Sequence, residues 1–366
     1  MLPRPRLAMV LSAVAVVLLA GCTAPASPAP DSRVVAADPA VSLADLTVLA
    51  DPRAYEGPST AVIADAAIDA PSGAPVQQLP AKVVSHDLAG DTSVTVTSTQ
   101  RILAMDISGS IAATVFGLGF GDSVVGRDVS TTFPGSEDLP VITSSGHTVN
   151  NEAILALRPT VLITDGSVGP VDVVLQLRDA GIAVVFVDTD PTVDGVGELA
   201  VQVAAALGAP AAGESLAQDL TTGIAAKVAE IVAIVPSTEP LRMLFLYLRG
   251  TSGIYYLFGE ESGADVLIRS LGGVDVAAEI GLDGMRPMTD EAMVAANPDL
   301  ILVMTDGIAS VGGVDGLLES KPAIALTAAG QHRRFVDMAD GEILAFGPRT
   351  ADVLDALARA IYAPGR

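Results

Sequence analysis

Imidazole and phenol are, beside the carboxylates, the side chains of this 366-residue chain able to ligate a metal centre. The chain has three histidines and five tyrosines. His86 falls in a stretch of weak periodicity, and His332 in a polar turn beside Arg333 and Arg334. His147 follows Gly146 in a loop ahead of a helical segment whose N-cap would be Asn150. A loop at the mouth of an α/β unit can aim an imidazole into a cleft, although a loop histidine is more often simply solvated. Tyr247 and Arg249 are two apart at the end of a strand-like run, so both fall on one face while Leu248 points the other way. A guanidinium beside the phenol favours the phenolate, the form that binds Fe(III) well. Equally, the pair reads as a half-buried strand tyrosine whose arginine caps a carboxylate. Tyr255 and Tyr256 are rivals for the phenolate role, in a run from Ile254 to Phe258 that reads as a hairpin return.

The elements that would carry these residues are legible from Arg101 onward. Arg101 to Met105, Val124 to Gly126, Val161 to Thr164 and Ala183 to Asp188 are predicted strands. Helices are predicted over Ser108 to Leu118, Asn151 to Leu157, Val171 to Ala180 and Val193 to Leu207. Short apolar strands alternating with helices imply parallel β-α-β layering. A second such series starts at Leu241, with strands over Met243 to Leu248 and Leu300 to Met304. Its helices are Gly263 to Leu271, Asp290 to Ala296 and a closing helix over Thr350 to Ile361. Ala211 to Val235 reads as one long helix between the two series. The fold class expected is α/β, with two pseudo-repeated α/β lobes joined by one long connecting helix and a ligand cleft between the lobes.

An internal repeat supports this division. Asn151-Glu-Ala-Ile-Leu-Ala-Leu-Arg-Pro-Thr-Val-Leu-Ile163 leads to Thr164-Asp-Gly166. Asp290-Glu-Ala-Met-Val-Ala-Ala-Asn-Pro-Asp-Leu-Ile-Leu302 leads to Thr305-Asp-Gly307. Both read as helix, proline-marked turn, buried strand and Asp-Gly turn. Glu152 and Glu291 occupy the same early-helix position, where a carboxylate complements the helix dipole.

At the N-terminus, Arg4 and Arg6 precede an apolar run from Leu7 to Ala20 that ends in Leu19-Ala-Gly-Cys22. A basic start, a short apolar core and small residues before a cut describe a secretory signal peptide, and Leu-Ala-Gly-Cys matches a lipobox that would attach lipid to Cys22. The expected location is the extracytoplasmic face of the cell membrane, with the lipid as the only membrane contact. The divisions are 1–21 signal peptide, 22–42 lipid-anchored flexible linker, 43–94 irregular segment with a candidate hairpin over Lys82 to Val96, 95–208 N-terminal lobe, 209–238 linking helix and 239–366 C-terminal lobe. A single cysteine allows no intramolecular disulfide. The formal charge of −23 disfavours nucleic acid as a partner. The absence of tryptophan argues against a cage of stacked rings for sugars or choline. No nucleophile elbow, P-loop or zinc-protease motif occurs, and Gly117-Leu-Gly-Phe-Gly121 follows a helix where a dinucleotide loop would follow a strand. The chain is not expected to be an enzyme.

In four segments the chain resembles the helical-backbone solute-binding proteins of ABC importers for haem, ferric siderophores and vitamin B12. They are Ala104-Met-Asp-Ile-Ser-Gly-Ser110, Val125-Gly-Arg-Asp-Val-Ser-Thr-Thr-Phe-Pro134, Gly146-His-Thr-Val-Asn150 and Tyr247-Leu-Arg-Gly250. The likeness runs over positions 95 to 365, includes both repeats, and is greatest to the haem-binding lipoproteins of Gram-positive haem uptake systems. It implies Fe(III)-haem as the transported ligand, with His147 and Tyr247 as axial ligands and Arg249 beside the phenolate or a propionate. It also implies docking of Glu152 and Glu291 onto arginines of a permease, one per half. Partners would be the permease, its ATPase and surface haem donors, with the protein itself a monomer. A siderophore or corrinoid carrier of the same transport class, and a surface haemophore that meets no permease, are the alternative readings.

Overall fold

The short apolar runs form strands, most of them buried on both faces, as parallel packing between helix layers requires. In the computed structural model, residues 33–36, 38, 40–73, 75–144, 147–237 and 239–365 are described. The signal-peptide segment, Cys22 with its spacer, and Gly146 lie outside the described residues. Along the chain come β1 Arg33–Ala36, β2 Ser59–Val62, β3 Ala81–Ser85, β4 Thr92–Val96, β5 Ile102–Met105 and β6 Val124–Gly126. They are followed by β7 Thr143–Ser144, β8 Thr148–Val149, β9 Val161–Thr164 and β10 Ala183–Phe186. After the helix Pro210–Ile234 come β11 Arg242–Arg249, β12 Ile254–Phe258, β13 Val274–Asp275, β14 Met285–Pro287, β15 Leu300–Met304 and β16 Phe335–Met338.

The N-terminal lobe is a parallel sheet in the order β10-β9-β5-β6. The C-terminal lobe has the order β1-β2-β16-β15-β11-β12-β14, with β13 also on β11. Side chains alternate between two cores in each lobe. Ile102 and Ala104 face helices Ser110–Gly117 and Val193–Ala206, whereas Leu103 and Met105 face helix Asn151–Leu157. In the C-terminal lobe Met243, Phe245 and Leu302 pack under the closing helix Thr350–Tyr362, and Leu244, Leu246 and Val303 pack against helix Asp290–Ala296.

Helix Pro210–Ile234 is packed along most of its length. Its first half lies so close to Val193–Ala206 that a Cβ on Gly213 would stand 2.4 Å from the Ala204 Cβ, and Ile224 and Ile231 enter the C-terminal core. It is not the only crossing between lobes. The segment 22–42, expected to be a flexible linker, contains β1, and the segment expected to be irregular contains β2; backbone pairing makes both part of the C-terminal sheet through β2 and β16. The chain then crosses to the hairpin β3–β4, which packs on the N-terminal lobe. There Phe186 N–H donates to Ser85 Oγ at 2.8 Å, and Arg178 pairs with Asp87 at 2.6 Å. The Arg178 guanidinium holds the Asp87 carboxyl down to about 2. One repeat feature also differs: Gly166 makes a left-handed bend, but Thr305-Asp-Gly307 opens the short helix Thr305–Ala309.

The N-terminal strands are held by a fully buried arginine. Arg334 donates to Ser59 Oγ at 3.0 Å and to the Ala360 and Ile361 carbonyls at 2.9 Å, and stacks 4.7 Å from the Tyr55 ring. Those carbonyls belong to the last turn of the closing helix, where the helix dipole is negative and helix bonding leaves acceptors free. Burial lowers the Arg334 pKa to about 10, so the group stays charged at neutral pH. Arg334→Ala is expected to cost about 3 kcal/mol or more in urea denaturation, because several buried acceptors lose their donor at once. A loss under about 1 kcal/mol would show that these bonds contribute little.

Candidate ligand-binding cleft

In open α/β sheets the loops at the carboxyl ends of the strands line the ligand crevice, at the point where strand order reverses. In the N-terminal lobe the reversal is at β5, flanked by β6 on one side and β9 on the other. The loop after β5 is built on Asp106, which accepts from Ser108 Oγ at 2.6 Å, Ser110 N–H at 3.0 Å and Ile111 N–H at 2.9 Å. The loop after β6 is built on Asp128, which accepts from the Ser130 and Thr131 N–H groups at 2.8 Å. Asp128 also accepts the Asp106 N–H at 3.1 Å, and Ser130 Oγ donates to the Ile107 carbonyl at 2.7 Å, so the two loops form one unit. Their outward residues, Ile107 and Val129, are exposed aliphatics.

This unit touches the other lobe. A Cβ on Gly341 would stand 2.7 Å from both the Ser130 carbonyl and Thr132 Oγ1, and one on Gly109, at φ +76°, would be 2.9 Å from the same carbonyl. Only glycine permits both approaches without displacement.

His147 lies in the turn of the hairpin β7–β8, in the left-handed region at φ 58°. The hairpin is fastened to the loop after β6 by Val129 N–H donating to Thr143 Oγ1 at 3.0 Å, and to the loop after β9 by Val149 N–H donating to Gly169 O at 2.8 Å. The His147 ring is half-buried, and its Nδ1 is buried without a hydrogen-bond partner. Asn150 caps the following helix, its side chain accepting from Ala153 N–H at 3.1 Å.

On the facing lobe Tyr247 lies within β11, its ring stacked on Phe258 at 5.8 Å between centroids. The Arg249 guanidinium sits 4.6 Å from the Tyr247 ring centroid and pairs with Asp340 at 2.5 Å. The arginine is thus engaged by a protein carboxylate while its charge stays against the phenol ring. Burial raises the Asp340 carboxyl above the ordinary range, opposed by the Asp306 N–H and Arg249. The cross-strand register separates the rival tyrosines. Tyr256 is directly opposite Tyr247 and shares its face; Tyr255 opposes Leu248 on the other face, where Lys321 Nζ lies 4.0 Å from its ring. A chain of contacts therefore runs from Tyr247 through Arg249, Asp340 and the adjacent Gly341 to Ser130, Val129 and the histidine hairpin.

The remaining candidates lie apart. His86 Nδ1 is 3.0 Å from Asp91 beside β3, and the backbone carbonyl of His332 accepts Gly57 N–H at 3.0 Å. Glu152 and Glu291 are exposed in the first turns of their helices, capped by Asn150 and Thr289. Asp340 is not a candidate from sequence because it stands 91 positions from its arginine; the Asp-Gly pair that follows the strand Phe335–Met338 is the available signal. Among the described residues no helix is long and apolar enough to cross a membrane.

Two α/β lobes with facing loop clusters define a bilobal ligand-capturing protein. The chain belongs to the periplasmic binding protein family, whose model matches residues 107–340. This is a family of binding proteins, in agreement with the expectation that the chain is no enzyme. It is similar to the crystal structure of heme binding protein HmuT, with 38% identity and TM-score 0.79, over 86% of this chain and 99% of that one. Structures of HmuT variants in which a histidine, a tyrosine or an arginine is changed also match, the arginine there following the tyrosine by two positions. The periplasmic heme-binding protein RhuT from Roseiflexus sp. RS-1 is 37% identical, with TM-score 0.66, over 72% of this chain and 98% of that one. The ABC transporter substrate-binding lipoprotein YvrC of Bacillus subtilis (strain 168) is 26% identical over 283 residues, 76% of this chain and 85% of YvrC.

The loop unit carries a pH signature. Burial, then the neighbouring Asp128 and Asp165 charges, push the Asp106 carboxyl up to about 7, against the pull of Ser108 and the Ile111 N–H. A carboxyl raised on folding contributes most below its unfolded pKa of about 4, and that contribution is lost as pH rises through about 7. The melting temperature should therefore fall between pH 5 and pH 8 more steeply in the native chain than in Asp106→Asn. Equal slopes would remove Asp106 as the source.

Proposed function

We propose that this protein is the haem-capturing subunit of an ABC importer, binding Fe(III)-haem between its lobes and delivering it to a membrane permease. The observation that supports the reading is the placement of His147 on one lobe and Tyr247 on the other, linked by one chain of contacts between the lobes. The buried, unpartnered Nδ1 of His147 leaves Nε2 as the coordinating nitrogen. Arg249 stands against the Tyr247 ring, and its pairing with Asp340 holds it in place. A porphyrin is flat and largely apolar, and the exposed Ile107 and Val129 of the N-terminal loops offer it apolar contact. The likeness to heme-binding protein HmuT over 86% of this chain, and the tyrosine–arginine spacing shared with it, support the same assignment.

In this reading Cys22 carries the lipid that keeps the protein, a monomer, at the extracytoplasmic face of the membrane. Haem arrives from surface donors. Glu152 and Glu291 dock onto cations of the permease, whose ATPase drives uptake.

Titrating purified protein with hemin tests the ligand assignment. A shifted Soret band is expected, and His147→Ala and Tyr247→Ala should each lower affinity about tenfold or more, since even groups that only support a metal ligand are worth about 10–100-fold. Unchanged free-hemin absorption would overturn the assignment. For docking, Glu152→Arg with Glu291→Arg should abolish uptake while leaving the Soret titration intact; undiminished uptake would refute it.

A further inference from the structure

Helices Asn151–Leu157 and Asp290–Ala296 agree in more than their glutamates. Each has a side-chain N-cap, Asn150 or Thr289, and each ends in a left-handed non-glycine residue, Arg158 at φ 47° or Asn297 at φ 38°. Each also sends one large side chain, Ile154 or Met293, fully into the core. On the solvent side, Glu152, Leu155 and Ala156 are exposed in one helix, and Glu291, Val294 and Ala295 in the other. Positions i, i+3 and i+4 share a helix face, so each lobe presents a carboxylate next to a small aliphatic patch.

A single exposed aliphatic residue needs no explanation. Leu155 is 45% exposed and Val294 48%, at the same position of two repeated units. The core does not require them, because Ile154 and Met293 already fill it. Helix propensity does not require them either, since Lys, Glu or Gln would serve as well and keep the surface polar. What remains is a surface that something else covers.

We propose that Leu155 with Ala156, and Val294 with Ala295, are the apolar anchors of the docking face. The occupant is a membrane protein with two equivalent halves, each offering a cation to the glutamate and an apolar socket to the aliphatic side chain. The proposal rests on the reading of Glu152 and Glu291 as docking residues. Two patches generated by an internal repeat can be engaged alike only by a partner with matching two-fold character. The partner is basic at the contact, because the chain carries a net charge of −23 and each patch begins with a carboxylate. The division of labour is physical: the carboxylates steer and orient the encounter, and the desolvated aliphatics slow dissociation.

The test uses the full lipoprotein and its permease–ATPase in lipid nanodiscs, with dissociation constants measured across a range of salt. Leu155→Ser with Val294→Ser should weaken the complex about tenfold or more while leaving its salt dependence, the melting temperature and the hemin titration unchanged. Leu155→Met with Val294→Ile should restore native affinity. Glu152→Gln with Glu291→Gln should flatten the salt dependence. If the serine pair binds as the native chain does while the glutamine pair is weakened, the anchors are refuted and docking through the glutamates stands. If both pairs bind as the native chain does, both readings fall. If only the serine pair is weakened, the anchors hold and the glutamates lose their role.

Discussion

The approach of Gly341 to the Ser130 carbonyl is the constraint on which the cleft depends. It brings the carboxyl-end loops of the two sheets to backbone contact, and any side chain at Gly341 would push the lobes apart. Ser130 in turn owes its position to Asp128, whose carboxylate collects the N–H groups of the loop and of Asp106. Two buried carboxyls thus shape the loops, and one glycine lets them meet. Asp340, the neighbour of that glycine, holds Arg249 over Tyr247, so the interlobe contact and the tyrosine site share a segment. A disturbance at one would be felt at the other.

A second constraint is the double crossing between lobes. The helix Pro210–Ile234 packs on both lobes, and the chain from β2 to β3 fastens the C-terminal sheet to the N-terminal lobe on its way to β5. Arg334 secures the near end of this crossing and the Arg178–Asp87 pair the far end. Two links favour small rocking movements of the lobes over wide opening.

The repeat explains why the halves look alike and where they differ. Helix, left-handed cap, proline turn and buried parallel strand recur in both lobes, because each unit solves the same problem of packing a helix on a strand. The divergence falls at the strand ends. One unit bends at Gly166 whereas the other continues into helix Thr305–Ala309, and the histidine hairpin belongs to the first lobe. Loops that do not support the core are free to specialise.

Much of this was legible in the residues alone. Buried strands such as Val161 to Thr164 declare themselves by uninterrupted apolar character, and helices such as Asn151 to Leu157 by their caps and their proline-marked ends. Loop position and two-residue spacing made His147, Tyr247 and Arg249 candidates, and the resemblance to haem-binding solute-binding proteins implied their roles. β1 and β2 were not legible, since four-residue strands are recognisable only once β16 supplies a partner. Nor were the separation of Tyr256 from Tyr255, which depends on cross-strand register, or the part played by Asp340, Ser130 and Gly341. Local sequence determines which segments are helix or strand and which side chains can bond iron. The tertiary structure alone decides which of them share a cleft, because hydrogen bonds and close contacts between distant segments have no trace in the spacing of neighbours.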